Sequence, residues 1–474
     1  MTVRRTHTQL QKDDCQYVWH PFTQMREWER HPPLIISHGK GCYVYDMEGN
    51  AYLDATASIW VNVHGHRHPR IDQAIRSQLT QVAHTTLLGL SNPPAIQLAK
   101  ALIRLAPKGL RKVFYSDNGS TAVEVAAKMA IQYWQQCPTP QPLKTQFIHL
   151  GMAYHGDTVG GVSLSGVELF RKPFSSLLFP SHTVEAPYCY RCPLQLHFPD
   201  CRLACLDPLE KLLQAKHKKI AGLILEPMVQ AVAGISPSPP GYLRQVRDLC
   251  TRYNVLFIAD EVATGFGRTG RMFACEHEEV SPDIMAVAKG LTGGYLPLAA
   301  TLTTSAIYEA FWGDAHEEKT FFHGHSYAGN PLGCAAALAN LAIFKTERTL
   351  TKLQKRIPQF RRFLESLADD PWVGDIRQCG YMVGIELVQD KKHKAPFPVS
   401  DRIGQKIAMT ARTLGLLVRP IGTIMILMPP LSATVKELDQ MVAILKLAIA
   451  VVRASHKSFP KRPPRSSAIK HRVK

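Results

Sequence analysis

Nowhere in this 474-residue sequence does an apolar run approach the ~18–20 residues needed to cross a bilayer. The opening stretch, MTVRRTHTQLQKDDC, lacks the apolar core of a secretory leader, so the expectation is a soluble chain in the cytoplasm. No internal repeat is visible. Eleven cysteines, an odd number, offer no disulfide framework and imply reduced thiols. Acidic residues are missing from 456–474, where seven Lys and Arg supply over a third of the net charge of +18. That segment reads as a basic, disordered, solvated tail, with weak attachment to polyanions as the alternative.

What remains is a well-supplied globular chain. At 45% hydrophobic and 20% charged residues it is neither disordered nor collagen-like. Its length implies two or three units, or one large α/β core with appendages. From about residue 112 to 345, β-rich apolar runs alternate with helical patterns, which predicts a mostly parallel sheet covered by helices. Val113–Tyr115, Phe147–Leu150, Gly222–Leu225, Val255–Ala259 and Ile284–Ala288 are the clearest runs. Upstream, 41–46 and 50–54 predict an antiparallel hairpin around Met47-Glu48-Gly49. The Pro-rich stretches 138–142 and 236–240 predict surface loops. We divide the chain into an N-terminal segment (1–65) contributing to a small domain, a large domain (66–345), a C-terminal small α+β domain (346–455) and the tail (456–474). Cys189-x2-Cys192-x8-Cys201-x3-Cys205 has the look of a zinc knuckle, but its spacing is loose and Pro193 and Pro199 mark a loop insertion. Free or packed thiols are the expected state, and no metal ligand is assigned.

In open α/β sheets, ligands bind beyond the carboxyl ends of the strands. Two such ends stand out. The run Phe257-Ile258-Ala259 delivers Asp260 into the Gly-rich turn Gly265-Phe266-Gly267-Arg268-Thr269-Gly270. A later strand ends in Ala288-Lys289-Gly290, and alone that Lys would read as a solvated surface charge. Asn118-Gly119-Ser120 opens a helix with the apolar face Val123, Ala126, Ala127, Ala130, Ile131, Trp134, a phosphate site or an ordinary cap.

Together these segments resemble the class III pyridoxal-phosphate aminotransferases. The resemblance implies fold type I, a large domain with a mostly parallel sheet between helices plus a small α+β domain, and pyridoxal 5'-phosphate as cofactor. Lys289 is then the Schiff-base lysine, and Asp260 the carboxylate that keeps the pyridine nitrogen protonated so that the ring accepts electrons. Gly119 and Ser120 hold the phosphate, Tyr154 stacks on the ring, and Gln230 of Glu226-Pro227-Met228-Val229-Gln230 lies near the phenolic oxygen. The segment containing Gly324, His325 and Ser326 reaches across a homodimer to the partner's phosphate.

Further segments are similar to the 7,8-diaminononanoate synthase family of biotin biosynthesis. They are His20-Pro21-Phe22-Thr23-Gln24-Met25, Ser58-Ile59-Trp60 with Asn62-Val63-His64-Gly65-His66, 124–134, Leu417-Val418-Arg419-Pro420-Ile421-Gly422 and Leu427-Met428-Pro429-Pro430. The match spans roughly 15–450. It implies a transaminase converting 8-amino-7-oxononanoate to 7,8-diaminononanoate, with Phe22, Ile59, Trp60, Tyr154, Asp157, Arg268, Gly324 and Arg419 at the substrates. Arg419 would hold the acceptor's distal carboxylate; Arg268 would assist the donor carboxylate or brace its turn. Many members carry Tyr at Phe22 and Trp at Ile59, so the aromatic cage is thinner here. S-adenosylmethionine is the favoured donor and lysine the alternative; another ω-amino acid:pyruvate aminotransferase is the competing reading. Neither a membrane nor a specific nucleic acid is expected as partner.

Overall fold

The computed structural model describes residues 7–31 and 33–457. Seven strands form its central sheet, in the order Leu110–Ser116, Ala299–Thr304, Ile284–Val287, Leu256–Asp260, Ile220–Leu225, Gln146–Leu150, Ser181–Val184. All run parallel except Ala299–Thr304, which is antiparallel to both neighbours. Every residue of Ile220–Leu225, Leu256–Asp260 and Ile284–Val287 is buried, as parallel strands covered on both faces require. Alternation then splits their side chains. Leu223, Leu225, Phe257, Ala259, Met285 and Val287 enter one core, and Ile224, Ile258, Ile284 and Ala286 the other.

The second core is closed by the helix Gly119–Gln136, whose Ala122, Ala126 and Ala130 let it approach the sheet closely. Asn118 starts this helix through a reciprocal cap. Its side chain accepts from Thr121 N–H at 3.0 Å, and Thr121 Oγ1 accepts from Asn118 N–H at 3.2 Å.

The expected hairpin is present, with Tyr43↔Leu53 and Tyr45↔Ala51 paired across it. Ile36–Lys40 adds a third strand, and Leu416–Leu417 joins Ala51–Asp54 in parallel, so both ends of the chain build one sheet. A second four-stranded antiparallel sheet orders Val373–Cys379, Met382–Leu387, Ile424–Leu427 and Arg419–Ile421.

Two expectations need correction. Residues 236–240 are not a free surface loop: Ser236–Pro237 pairs with Val229–Gln230, and Ser238 N–H donates to Met228 carbonyl at 2.8 Å. The helix Val435–Lys457 runs past the expected start of the tail at 456; residues 458–474 lie outside the described residues. All eleven cysteines are free. Burial and neighbouring cysteines push the Cys205 thiol up to about 11, and among the described residues no His/Cys/Asp/Glu group is placed to hold a metal. Among them, too, no helix is long and apolar enough to cross a membrane.

Candidate active site

A cavity of about 480 Å³ opens at the carboxyl ends of the central strands. Asp260 and Lys289 both line it, brought there by adjacent parallel strands, Leu256–Asp260 and Ile284–Val287. Asp260 is 4% exposed and doubly held: Oδ2 lies 2.7 Å from His155 Nδ1, and Oδ1 accepts from Val262 N–H at 3.0 Å. Lys289 begins a short 3-10 turn with φ of 42°, a left-handed value rarely adopted by a side-chain-bearing residue. Burial pushes its ammonium below the ordinary value, and the nearby Asp260 and Glu226 carboxylates only partly oppose this. A lysine of lowered basicity and a fixed carboxylate thus line one cavity.

The cavity is also lined by the start of the helix Gly119–Gln136, where the first-turn N–H groups have no partner within the helix. A Cβ at Gly119 would stand 2.6 Å from Val262 Cγ1, and one at Gly156 would collide with Ser120. Both glycines are therefore demanded by close approach. Ser120 Oγ accepts from Asp157 N–H at 3.2 Å, and Tyr154 O–H donates to Asp157 Oδ2 at 2.6 Å. Burial and Asp157 raise the Tyr154 phenol above its usual range.

Trp60 forms the apolar side, its ring 5.4 Å from Lys289 Nζ. It ends a turn in which Ala57, Ser58, Ile59 and Trp60 have φ of 47°, 50°, 63° and 70°. Left-handed conformations cost ordinary residues about 1–2 kcal/mol each, so this turn must be held from outside.

Other expected site residues stand away from the cavity lining. Gln230 is buried, donates from Nε2 to Gly151 carbonyl at 3.2 Å and leaves Oε1 without a partner. Phe22 is 60% exposed but continues an aromatic path, 5.4 Å from Phe170, which stands 6.0 Å from Tyr154. Ile59 is exposed. Arg419 opens an edge strand, exposed. Arg268 is 1% exposed and donates to the carbonyls of Pro429 and Asn62, both at 2.5 Å, with Nε unpaired. In this geometry it braces two segments. Gly324, His325 and Ser326 lie in an exposed loop where His325 Nε2 is 3.9 Å from Asp117 Oδ1 and Ser326 carbonyl is 2.8 Å from His84 Nε2.

Sequence reasoning assigned no role to His155 or Glu226. Glu226 is buried and lines the cavity; Oε2 accepts from Ala231 N–H at 2.9 Å, while Oε1 has no partner. Burial first, then the Asp260 charge, pushes its carboxyl up to about 7. Their only signal was position, each within a segment already singled out.

The chain belongs to the aminotransferase class-III family, whose model matches residues 24–449. It is 49% identical over 447 residues to the adenosylmethionine-8-amino-7-oxononanoate aminotransferase of Geobacter sulfurreducens, covering 94% of this chain and 98% of that protein. The crystal structure of the enzyme of that name from Methanocaldococcus jannaschii superposes with a TM-score of 0.89 at 44% identity, covering 94% and 99% of the two chains. An omega transaminase from Pseudomonas jessenii in complex with PMP gives 0.89 at 33% identity, covering 94% and 98%.

Class III aminotransferases depend on pyridoxal 5'-phosphate, and the cavity fits it. A helix N-terminus kept open by Gly119 and Gly156 suits a phosphate, Asp260 suits a protonated ring nitrogen, and the Lys289 amine suits the aldehyde.

Proposed function

We propose that this enzyme transfers an amino group to the ketone of 8-amino-7-oxononanoate, giving 7,8-diaminononanoate, with S-adenosylmethionine as donor. One observation carries the reading: Lys289, Asp260 and Trp60 converge on a single cavity in a chain about half identical to relatives named for that reaction.

Bound pyridoxal phosphate supplies an electron sink for the charge left when a proton leaves the substrate's Cα. Asp260, fixed by His155 and Val262 N–H, holds a proton on the ring nitrogen and so deepens that sink. Gly119 and Ser120 would hold the phosphate at the helix N-terminus. Lys289 Nζ, its basicity lowered by burial, would accept the proton that leaves the donor's Cα and, in the second half-reaction, deliver a proton to the acceptor's former ketone carbon. Tyr154, oriented by Asp157, would hold the cofactor ring by its aromatic face. Trp60 excludes water beside the amine, and Arg419 takes the acceptor's distal carboxylate.

Lysine is kept as a second donor because exposed Ile59 leaves one face of the substrate entrance without an aromatic ring for adenine or sulfonium. We infer a homodimer acting in the cytoplasm. Support comes from exposed Leu88, Leu90, Ile96, Phe322 and Tyr327 around the loop carrying His325 and Ser326, and from eleven free thiols.

The test is a coupled assay with 8-amino-7-oxononanoate and a panel of donors, with each donor also added alone to the cofactor-loaded enzyme. Conversion to the pyridoxamine form with S-adenosylmethionine supports the reading. Conversion with lysine alone replaces the donor, and amination only of other ketones replaces the acceptor.

A further inference from the structure

Asp54 is not part of the cavity, yet its carboxylate is one of the most heavily bonded groups in the chain. It is 2% exposed and receives five donors. Oδ1 accepts from Thr56 N–H at 3.1 Å and Thr56 O–H at 2.8 Å. Oδ2 accepts from Ser58 N–H at 2.9 Å and Ser58 O–H at 3.2 Å, and lies 3.1 Å from His66 Nε2. His66 is itself fixed by a backbone bridge to Gly41, with bonds of 2.7 and 3.1 Å. Burial alone would raise the Asp54 carboxyl; the bonds from His66 and Thr56 outweigh it and hold the group below its usual range.

Four of the five donors come from one place. Thr56 and Ser58 flank and enter the left-handed turn Ala57–Trp60, which contains no glycine to make such φ values easy. Within the turn, Trp60 N–H donates to Thr56 carbonyl at 2.8 Å and Val61 N–H to Ala57 carbonyl at 3.0 Å. These two bonds close the turn on itself. Beyond the turn, Asn62 carbonyl is held by buried Arg268, and Asn62 Cα presses on Gly294, where a Cβ would sit 2.9 Å away. The turn is thus gripped between a buried anion and a buried cation, with Trp60 as its output.

We propose that Asp54 is a positioning residue: by clamping the left-handed turn 57–60 it fixes the Trp60 indole beside Lys289 and thereby sets how strictly the enzyme selects the chain length of its acceptor. The selectivity half of this rests on the acceptor reading above. A misplaced apolar wall costs a long polymethylene substrate more than a short one, because contact along the chain is lost methylene by methylene.

The test uses cofactor-loaded Asp54→Asn, which keeps the shape but replaces one acceptor oxygen with a donor, and Asp54→Asn/Ala57→Gly, which eases one left-handed position. Acrylamide quenching of Trp60, isolated as the difference from matched Trp60→Phe enzymes, reads the indole's position without activity. kcat/KM for 8-amino-7-oxononanoate and shorter-chain homologues reads selectivity. Asp54→Asn should increase Trp60 quenching, lower kcat/KM for the full-length acceptor at least ~10-fold and narrow its preference over shorter homologues, and Ala57→Gly should restore part of each. Unchanged quenching, or a uniform loss across all chain lengths, would overturn the proposal. Should Asp54→Asn not fold, Thr56→Val and Ser58→Ala remove one hydroxyl bond each and are read the same way. If wild type ignores 8-amino-7-oxononanoate, the acceptor reading fails, and quenching alone still decides whether Asp54 sets the indole.

Discussion

His155 Nδ1 and Asp260 Oδ2 lie 2.7 Å apart across 105 residues of sequence, both side chains shut away from solvent. The imidazole leaves its other nitrogen without a partner, so its one bond is to the carboxylate. That contact turns Asp260 to one orientation before any ligand arrives, the preorganisation on which electrostatic catalysis depends.

Replacing Asp260 by Asn keeps this shape and removes the charge. The amino-transfer rate should fall by at least ~100-fold, within the range for positioned catalytic groups. Near-normal turnover would remove Asp260 from the mechanism. His155→Asn should give a smaller loss, read as a shift in the absorption band of the bound cofactor.

Lys289 should carry the covalent link to the cofactor. In Lys289→Ala, borohydride treatment should leave no cofactor attached to the denatured protein, whereas wild type retains it. Covalent trapping in the variant would send the assignment elsewhere.

Glu226 yields a pH prediction. Its folded carboxyl is pushed up to about 7, against roughly 4.3 in an unfolded chain. Between those values the folded state holds a proton that the unfolded state has released, so stability falls as pH rises through the window. Above it the penalty is complete, on the order of 4 kcal/mol. Cofactor-free Glu226→Gln should therefore melt higher than wild type at pH 8.5, with the gap closing near pH 5. Parallel melting curves at both pH values would show that Glu226 does not titrate as described.

Arg419→Ala should weaken the second half-reaction and spare the first, because the acceptor's distal carboxylate is its proposed target. Single-turnover measurements of each half separate the two. Equal loss in both would make the residue structural or shared.

Much of this site was legible because its residues sit where strands stop. Asp260 and Lys289 follow apolar runs and precede glycines, and those punctuation marks are local. The His155–Asp260 contact was not legible, since it joins a loop residue after the strand Gln146–Leu150 to the end of a strand far along the chain. The turn at 57–60 was hidden for another reason: Ala-Ser-Ile-Trp has none of the glycine or asparagine that usually announces left-handed backbone. It is held by bonds from Thr56 and Ser58 to the Asp54 side chain and by Arg268 on Asn62, none of which the usual turn residues announce. Arg268, by contrast, was recognisable as a residue of interest, but its hold on Pro429 and Asn62 depends on segments distant from it in the chain.

The pairing of Leu416–Leu417 with Ala51–Asp54 has an effect on the order of biosynthetic events. Asp54 ends the early-synthesised strand, and its neighbour in the sheet emerges from the ribosome only when the chain is nearly finished. The sheet edge that ends in Asp54 is therefore completed only by a segment made near the end of synthesis. Products stalled before residue 416 would possess the central strands with Asp260 and Lys289, yet leave the strand Ala51–Asp54 unpaired on that side.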